Sequence, residues 1–261
     1  LILIDAPSLV MHTMLDRLYL EYIHEDWEIR LGRQRVNWGI STVWNPNDIF
    51  NAFDFTDFDY EERPGSDALR IKRYTGFASS VEFVTRVFDT WDEAVMAGLW
   101  KFNKWDYDVQ LLAGLVRRDL AFGLGWAGNL GDAGFKGEAT YFLAMDEWFE
   151  DYEAAENSFA FTLSADYTLS NSLYLHLGYL YNSNGATDVS SSQLFTFQLS
   201  AKNLYPYRHG LFAQAMYPFT PLLNGSLALI YSPVEVHALF LNPTVTLSIA
   251  QNWDLDFIGQ I

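Results

Sequence analysis

The strongest constraint on this chain is an alternation of apolar with polar or small residues at period two, repeated over nearly its whole length. Leu18, Leu20 and Tyr22 fall on one phase, with Arg17, Tyr19 and Glu21 on the other. After a tight turn at 24–26, Trp27, Ile29 and Leu31 alternate with Glu28 and Arg30. The pattern returns at 69–72, 80–87, 107–116, 120–127, 135–143, 159–166 and 173–179, less regularly at 94–102, and again at 210–217, 222–231, 243–250 and 253–261. Successive side chains of a strand point to opposite faces, whereas a helix repeats every 3.6 residues. No segment reads as an amphipathic helix. The sequence therefore predicts an all-β chain of about fourteen antiparallel up-and-down strands of roughly 8–11 residues, the length that crosses a bilayer at a tilt. Tyr22, Trp27, Trp105, Tyr167, Tyr217 and Trp253 recur at strand ends, where an aromatic girdle would sit.

The connections alternate in length. Short turns are expected at 24–26, 103–106, 168–172, 218–221 and 251–253, and long ones at 39–65, 144–157 and 183–209. An up-and-down barrel needs an even number of strands between short turns at one rim, so 193–201, strand-like as it looks, is assigned to a loop. A soluble sandwich also has short alternating strands, but its outward face should be charged. Here several non-apolar faces are small or neutral, such as Ala121, Gly123 and Gly125, or Thr244, Thr246 and Ser248. That favours a membrane barrel, read as one domain over 1–261.

Composition excludes several functions. Charged residues are only 19 %, yet the net charge is −17, which argues against a nucleic-acid partner. Without cysteine there is no disulfide, thiolate metal site or cysteine nucleophile, and the five histidines form no short-spaced pair. No run of about 18 apolar residues exists, so a transmembrane helix is excluded. The chain opens on Leu1 without a signal core, as a mature or trimmed chain would.

The stretch Gly32-Arg33-Gln34, Asn37-Trp38-Gly39 and Trp44-Asn45-Pro46-Asn47-Asp48, followed by an acidic loop, resembles uncharacterised porin-like members of the Gram-negative outer-membrane β-barrels. The barrel pattern extends over nearly all the chain; the motif covers about a tenth and carries no known chemistry. The resemblance implies an integral outer-membrane channel of the porin type for passive transport of small polar solutes or ions. It implies lipid and lipopolysaccharide as surroundings, envelope proteins as partners, and neither an enzyme nor a cofactor. The alternative is a sealed barrel serving as a structural subunit of a larger envelope complex, and the third reading is an outer-membrane hydrolase. Such barrels usually end in an aromatic strand, which this chain lacks, so terminal strands are expected to be missing and the complete count to be 14–16.

The candidate site is a basic wall facing an acidic loop. Arg30, Arg70, Lys72 and Arg86 share the polar phase of their strands; Arg33 and Arg35 face inward with them only if Gly32 hosts a bulge, or else lie above the membrane. Opposite them the long loop carries Asp48, Asp54, Asp57, Asp59, Glu61 and Glu62. By resemblance to general porins, that loop folds into the barrel with its acids across the narrowest point. Rings of charge there select permeants; alternatively, the same ion pairs stiffen a plugged interior. The acids also suit a calcium ion in donor type, without the spacing of an EF-hand. If 168–172 turns a hairpin, Ser164 is expected opposite His176 with Asp166 one pair nearer the turn, though no oxyanion donor accompanies them.

Overall fold

The structure is a computed structural model of the 261-residue chain. It describes residues 2–6, 9–13, 15–51, 65–91, 93–145, 156–188, 197–234 and 238–261. Strands β1 (Ile2–Ala6) and β2 (Leu9–His12) pair as a separate two-stranded antiparallel sheet. The remaining strands are β3 (Leu18–His24), β4 (Trp27–Gln34), β5 (Ser66–Gly76), β6 (Ser79–Arg86), β7 (Val95–Lys104), β8 (Tyr107–Val116) and β9 (Asp119–Leu130). They continue as β10 (Ala133–Ala144), β11 (Ser158–Thr168), β12 (Tyr174–Asn182), β13 (His209–Thr220), β14 (Leu223–Ser232), β15 (Ala238–Ala250) and β16 (Trp253–Ile258). These form one fourteen-stranded sheet in which every strand pairs with its neighbour in sequence.

The antiparallel meander expected from the alternation is therefore present; closure is not. β3 and β16 are the two edges, and the sheet is not closed into a barrel. Residues 197–208 enter no strand of the sheet and make only isolated bridges, Ser200 with Asn203 and Tyr207 with Ala186.

Connections segregate by rim. Those at 25–26, 77–78, 105–106, 131–132, 169–173, 221–222 and 251–252 lie at one end, all short. The three long ones at 35–65, 145–157 and 183–208 lie at the other, together with shorter ones at 87–94, 117–118 and 233–237. Trp105 and Asp106 both have positive φ (56° and 62°), the two-residue turn whose twist matches the flanking strands. Gly32 also has positive φ (124°), yet pairing runs through it unbroken, with Tyr19 on one side and Ala68 on the other. There is no bulge, so Arg33 stays on the outward phase and forms a salt bridge there with Asp67 (2.7 Å).

The outward face is apolar and exposed: Leu20, Leu31, Leu111, Phe122, Leu175 and Leu177 all present their side chains there, Leu20 at 77 % and Leu177 at 62 %. Their sequence neighbours Leu112, Ala121 and His176 point inward and are buried. A typical soluble monomer exposes no contiguous apolar patch beyond roughly 300–600 Å².

Single cysteines test the phase cleanly in a chain that has none of its own. Leu111→Cys and Phe122→Cys are expected to react with a membrane-permeant maleimide in the folded protein. Leu112→Cys and Ala121→Cys are expected to react only after denaturation; equal rates on both phases would contradict the assignment.

Candidate functional site

What buries the inward face is the segment that follows β4. Residues 35–51 leave the end of β4 at the long-loop rim and lie across the inner surface. Val36, Trp38, Val43, Trp44, Ile49 and Phe50 are each no more than 6 % exposed. Val36, Trp38, Ile49 and Phe50 pack with inward residues of β5–β10, among them Ala68, Val84, Leu99, Leu112 and Phe142. Val43 and Trp44 join a second cluster with Ala160, Leu180, Phe212 and Ile230 on β11–β14. Trp44 meets Tyr205 and Phe212 edge-on, with ring centroids 5.5 and 6.4 Å apart. A fully buried side chain of this size contributes about 1.5–3 kcal/mol relative to exposure, so these six anchor the segment firmly.

Polar groups fix its register. Glu138 of β10 is fully buried, and its carboxylate accepts backbone N–H groups from Ile40 and Ser41 at Oε1 and from Asn47 at Oε2 (2.9 Å). A buried carboxyl group needs donors in place of its water, and three convergent amides supply them here. Thr140 Oγ1 donates to Asn47 Oδ1 (2.7 Å), while Asn47 Nδ2 donates to the Leu124 carbonyl (3.1 Å). Gln110 Nε2 donates to the Trp38 carbonyl (2.6 Å), and the Ser41 and Thr162 hydroxyls lie 3.0 Å apart. Asn51 Nδ2 donates back to the Val36 carbonyl (3.3 Å), closing the segment on itself.

The glycines of β9 make this seat possible. A Cβ on Gly123 would lie 2.5 Å from Asn47 Oδ1, and one on Gly125 would lie 2.9 Å from Asn47 Nδ2 and 2.8 Å from Ile40 Cδ1. Gly123 and Gly125, which in sequence stood out as small residues on a non-apolar face, mark the close approach of a second piece of backbone.

The basic wall carries acids of its own strands. Arg30 and Arg70 are cross-strand partners and both point inward. Arg30 Nε lies 2.5 Å from Glu21 and 3.0 Å from Glu28. Arg70 grips Glu82 with two parallel hydrogen bonds of 2.9 Å each and lies 4.0 Å from Glu28. Trp38 Nε1 donates to Glu82 (2.7 Å) and the Tyr74 hydroxyl donates to Glu28 (2.8 Å). Among the described residues the ladder is thus zwitterionic: strand glutamates pair with its guanidiniums, and Trp38 ties the folded-in segment to it. Bidentate arginine–carboxylate pairs fix geometry as well as charge.

Lys72 and Arg86 also lie on the inward phase, Lys72 with its ammonium 4.5 Å from the Tyr74 ring centroid. Arg35 follows the end of β4, half-buried. Of the loop acids, Asp48 is buried within the segment, where its backbone N–H donates to Asn45 (3.0 Å). Asp54, Asp57, Asp59, Glu61 and Glu62 lie outside the described residues, as does any calcium site among them. Among the described residues, no group of three or more acids and histidines is placed to hold a metal.

A second segment covers the same face from the long-loop rim. Asn182 Nδ2 donates to Asn203 Oδ1 and to the Tyr205 carbonyl (both 2.7 Å), and Lys202 pairs with the buried Asp119 (2.9 Å). Burial raises the pKa of the Tyr207 phenol, which stays neutral.

The serine–histidine register is corrected. Asp166, not Ser164, is the cross-strand partner of His176, and Ser164 faces Gly178. The strands pair two residues out of the expected register because their turn spans 169–173. His176 is buried edge-on against Phe212 (5.2 Å), and Ser164 Oγ is buried without a hydrogen-bond partner, so no nucleophile–base contact forms.

Sequence reasoning missed Glu28, Glu82 and Glu138 as a set. Their signal was available: each is a carboxylate on the inward phase of a strand whose opposite phase is apolar.

No protein-family model matches the chain, and no curated protein matches it significantly.

Two substitutions test the seat. Glu138→Ala orphans buried donors at about 1–3 kcal/mol each, and Gly123→Val collides with Asn47. Both are expected to lower the unfolding midpoint and to open 36–50 to limited proteolysis in otherwise folded protein. Unchanged protection in both would contradict the seat.

Proposed function

We propose that the sheet belongs to a Gram-negative outer-membrane β-barrel of the porin type, closed along its two edges, that passes small polar solutes or ions passively through a narrowed interior. One observation carries the reading: a face of exposed apolar side chains backs an inner face of charge networks, with a chain segment seated across that inner face. A soluble protein would reverse that polarity; a barrel in lipid with an aqueous interior requires it. The segregation of long connections to one rim supports the same orientation, since outer-membrane barrels have short turns on one side and longer loops on the other.

Toward the short-turn rim the inner face is polar. Lys136 lies 3.7 Å from Asp166, Gln214 donates to Ser226 (3.1 Å), and Thr246 donates to Asp256 (2.6 Å). This is a surface fit for water. The constriction is segment 35–51, anchored by Glu138. Because the arginine ladder is already balanced by strand glutamates, its field runs across the interior and acts on dipoles more than on net charge.

A sealed barrel is the second reading, favoured by one observation: the segment belongs to two apolar clusters that together reach from β5 to β14. Planar-bilayer conductance separates the two. A channel conducts as wild type, and Glu138→Ala raises the single-channel step by loosening the segment. A sealed barrel is silent as wild type and conducts only in the variant.

Membrane placement has its own test. Arginine at Leu111 or Leu175 costs about 2–4 kcal/mol of folding stability in bilayers when the site is near the midplane. Unchanged stability for both variants would remove the lipid-facing assignment.

A further inference from the structure

A cavity of about 400 Å³ opens on the short-turn side of the folded-in segment. Ile40 of the segment borders it above and the 77–78 turn below; Lys72, Tyr74, Lys101 and Gln110 line its walls. The volume falls within the range of small-molecule sites.

Its charges do not cancel internally. Lys101 sits on the inward phase of β7 between Ser80 and Gln110, half-buried, with Glu82, Lys72, Arg70 and Glu138 in Coulombic range. Among the described residues, no hydrogen bond or salt bridge joins Lys101 to an acid. The acids nearby are engaged elsewhere. Glu82 is held by Arg70 and Trp38, Glu28 by Arg30 and Tyr74, and Glu138 by the segment's amides. Asp108, on the cavity wall, accepts from Asn103 (2.9 Å). Two ammoniums therefore face one carboxylate that is already hydrogen-bonded. An ammonium withdrawn from water without a counter-charge is costly, and an entering anion removes that cost.

We propose that this cavity is a binding subsite for the carboxylate of a small organic acid, held between Lys101 and Lys72 with its apolar body against Ile40 and Tyr74. Its place on a solute path rests on the channel reading; the binding does not. Lys101 stood outside the sequence-derived basic wall because its strand, 94–102, alternates least regularly.

Equilibrium dialysis of labelled benzoate against the purified full chain in detergent tests the proposal, with benzyl alcohol and inorganic phosphate as comparison probes. Wild type is expected to bind benzoate saturably and benzyl alcohol not at all. Lys101→Gln and Lys72→Gln each weaken binding about tenfold or more, the loss expected for one charge-assisted contact, while Lys101→Arg retains most of it. The proposal is overturned by absence of saturable benzoate binding, by equal binding of the alcohol, by tighter binding of phosphate, or by unchanged affinity in a correctly folded Lys101→Gln. Bilayer conductance is measured in parallel. Conductance without benzoate binding sinks the subsite and leaves the channel; benzoate binding without conductance sinks the channel and leaves the subsite.

Discussion

Everything inside this sheet depends on the fully buried carboxylate of Glu138. A sheet whose outward side is apolar gains nothing from covering its inward side unless something holds the cover in register. Apolar contact alone is non-directional and would let residues 35–51 slide. Three backbone amides converging on one carboxyl group cannot slide, because displacement by a single residue would leave buried donors and buried acceptors unsatisfied together. The aromatic anchors supply the adhesion, and Glu138 supplies the address.

The same logic explains the arginine ladder. Arg30 and Arg70 are cross-strand partners, and like charges in that position repel. They coexist because Glu21, Glu28 and Glu82 are interleaved with them on neighbouring strands. Trp38 then joins the ladder through Glu82, so the folded-in segment and the charged wall form one network. Loosening either end disturbs the other. Lys101 stands apart, since the carboxylates that could neutralise it are occupied.

Much of the fold was legible in the sequence because strand pairing follows a local rule. Period-two alternation located the fourteen strands of the main sheet, and the lengths of the connections sorted them onto two rims. Closure was not legible: alternation says which face a residue takes and nothing about whether β3 meets β16. The Ser164–His176 register slipped for a related reason, since pairing depends on where the 169–173 turn ends, and turn residues there permit more than one solution. The site was half legible. The inward phase of Arg30, Arg70, Lys72 and Arg86 followed from parity, as that of Glu28, Glu82 and Glu138 could have; that Glu82 and Glu138 meet the 35–51 segment did not, because those contacts span long sequence separations that no local pattern encodes. Gly123 and Gly125 likewise stood out as a small inner face without naming Asn47 as the neighbour.

The seat of residues 35–51 on the inner face is the central claim, and a designed cross-link measures it most directly. The Ser41 and Thr162 hydroxyls are 3.0 Å apart across the segment and β11. In the chain carrying Ser41→Cys and Thr162→Cys, mild oxidation of the folded protein should form an intramolecular disulfide in near-quantitative yield, read as the loss of both maleimide-reactive thiols in intact mass. Retention of two free thiols under those conditions, with each single variant folded, would mean the segment does not lie on the inner face.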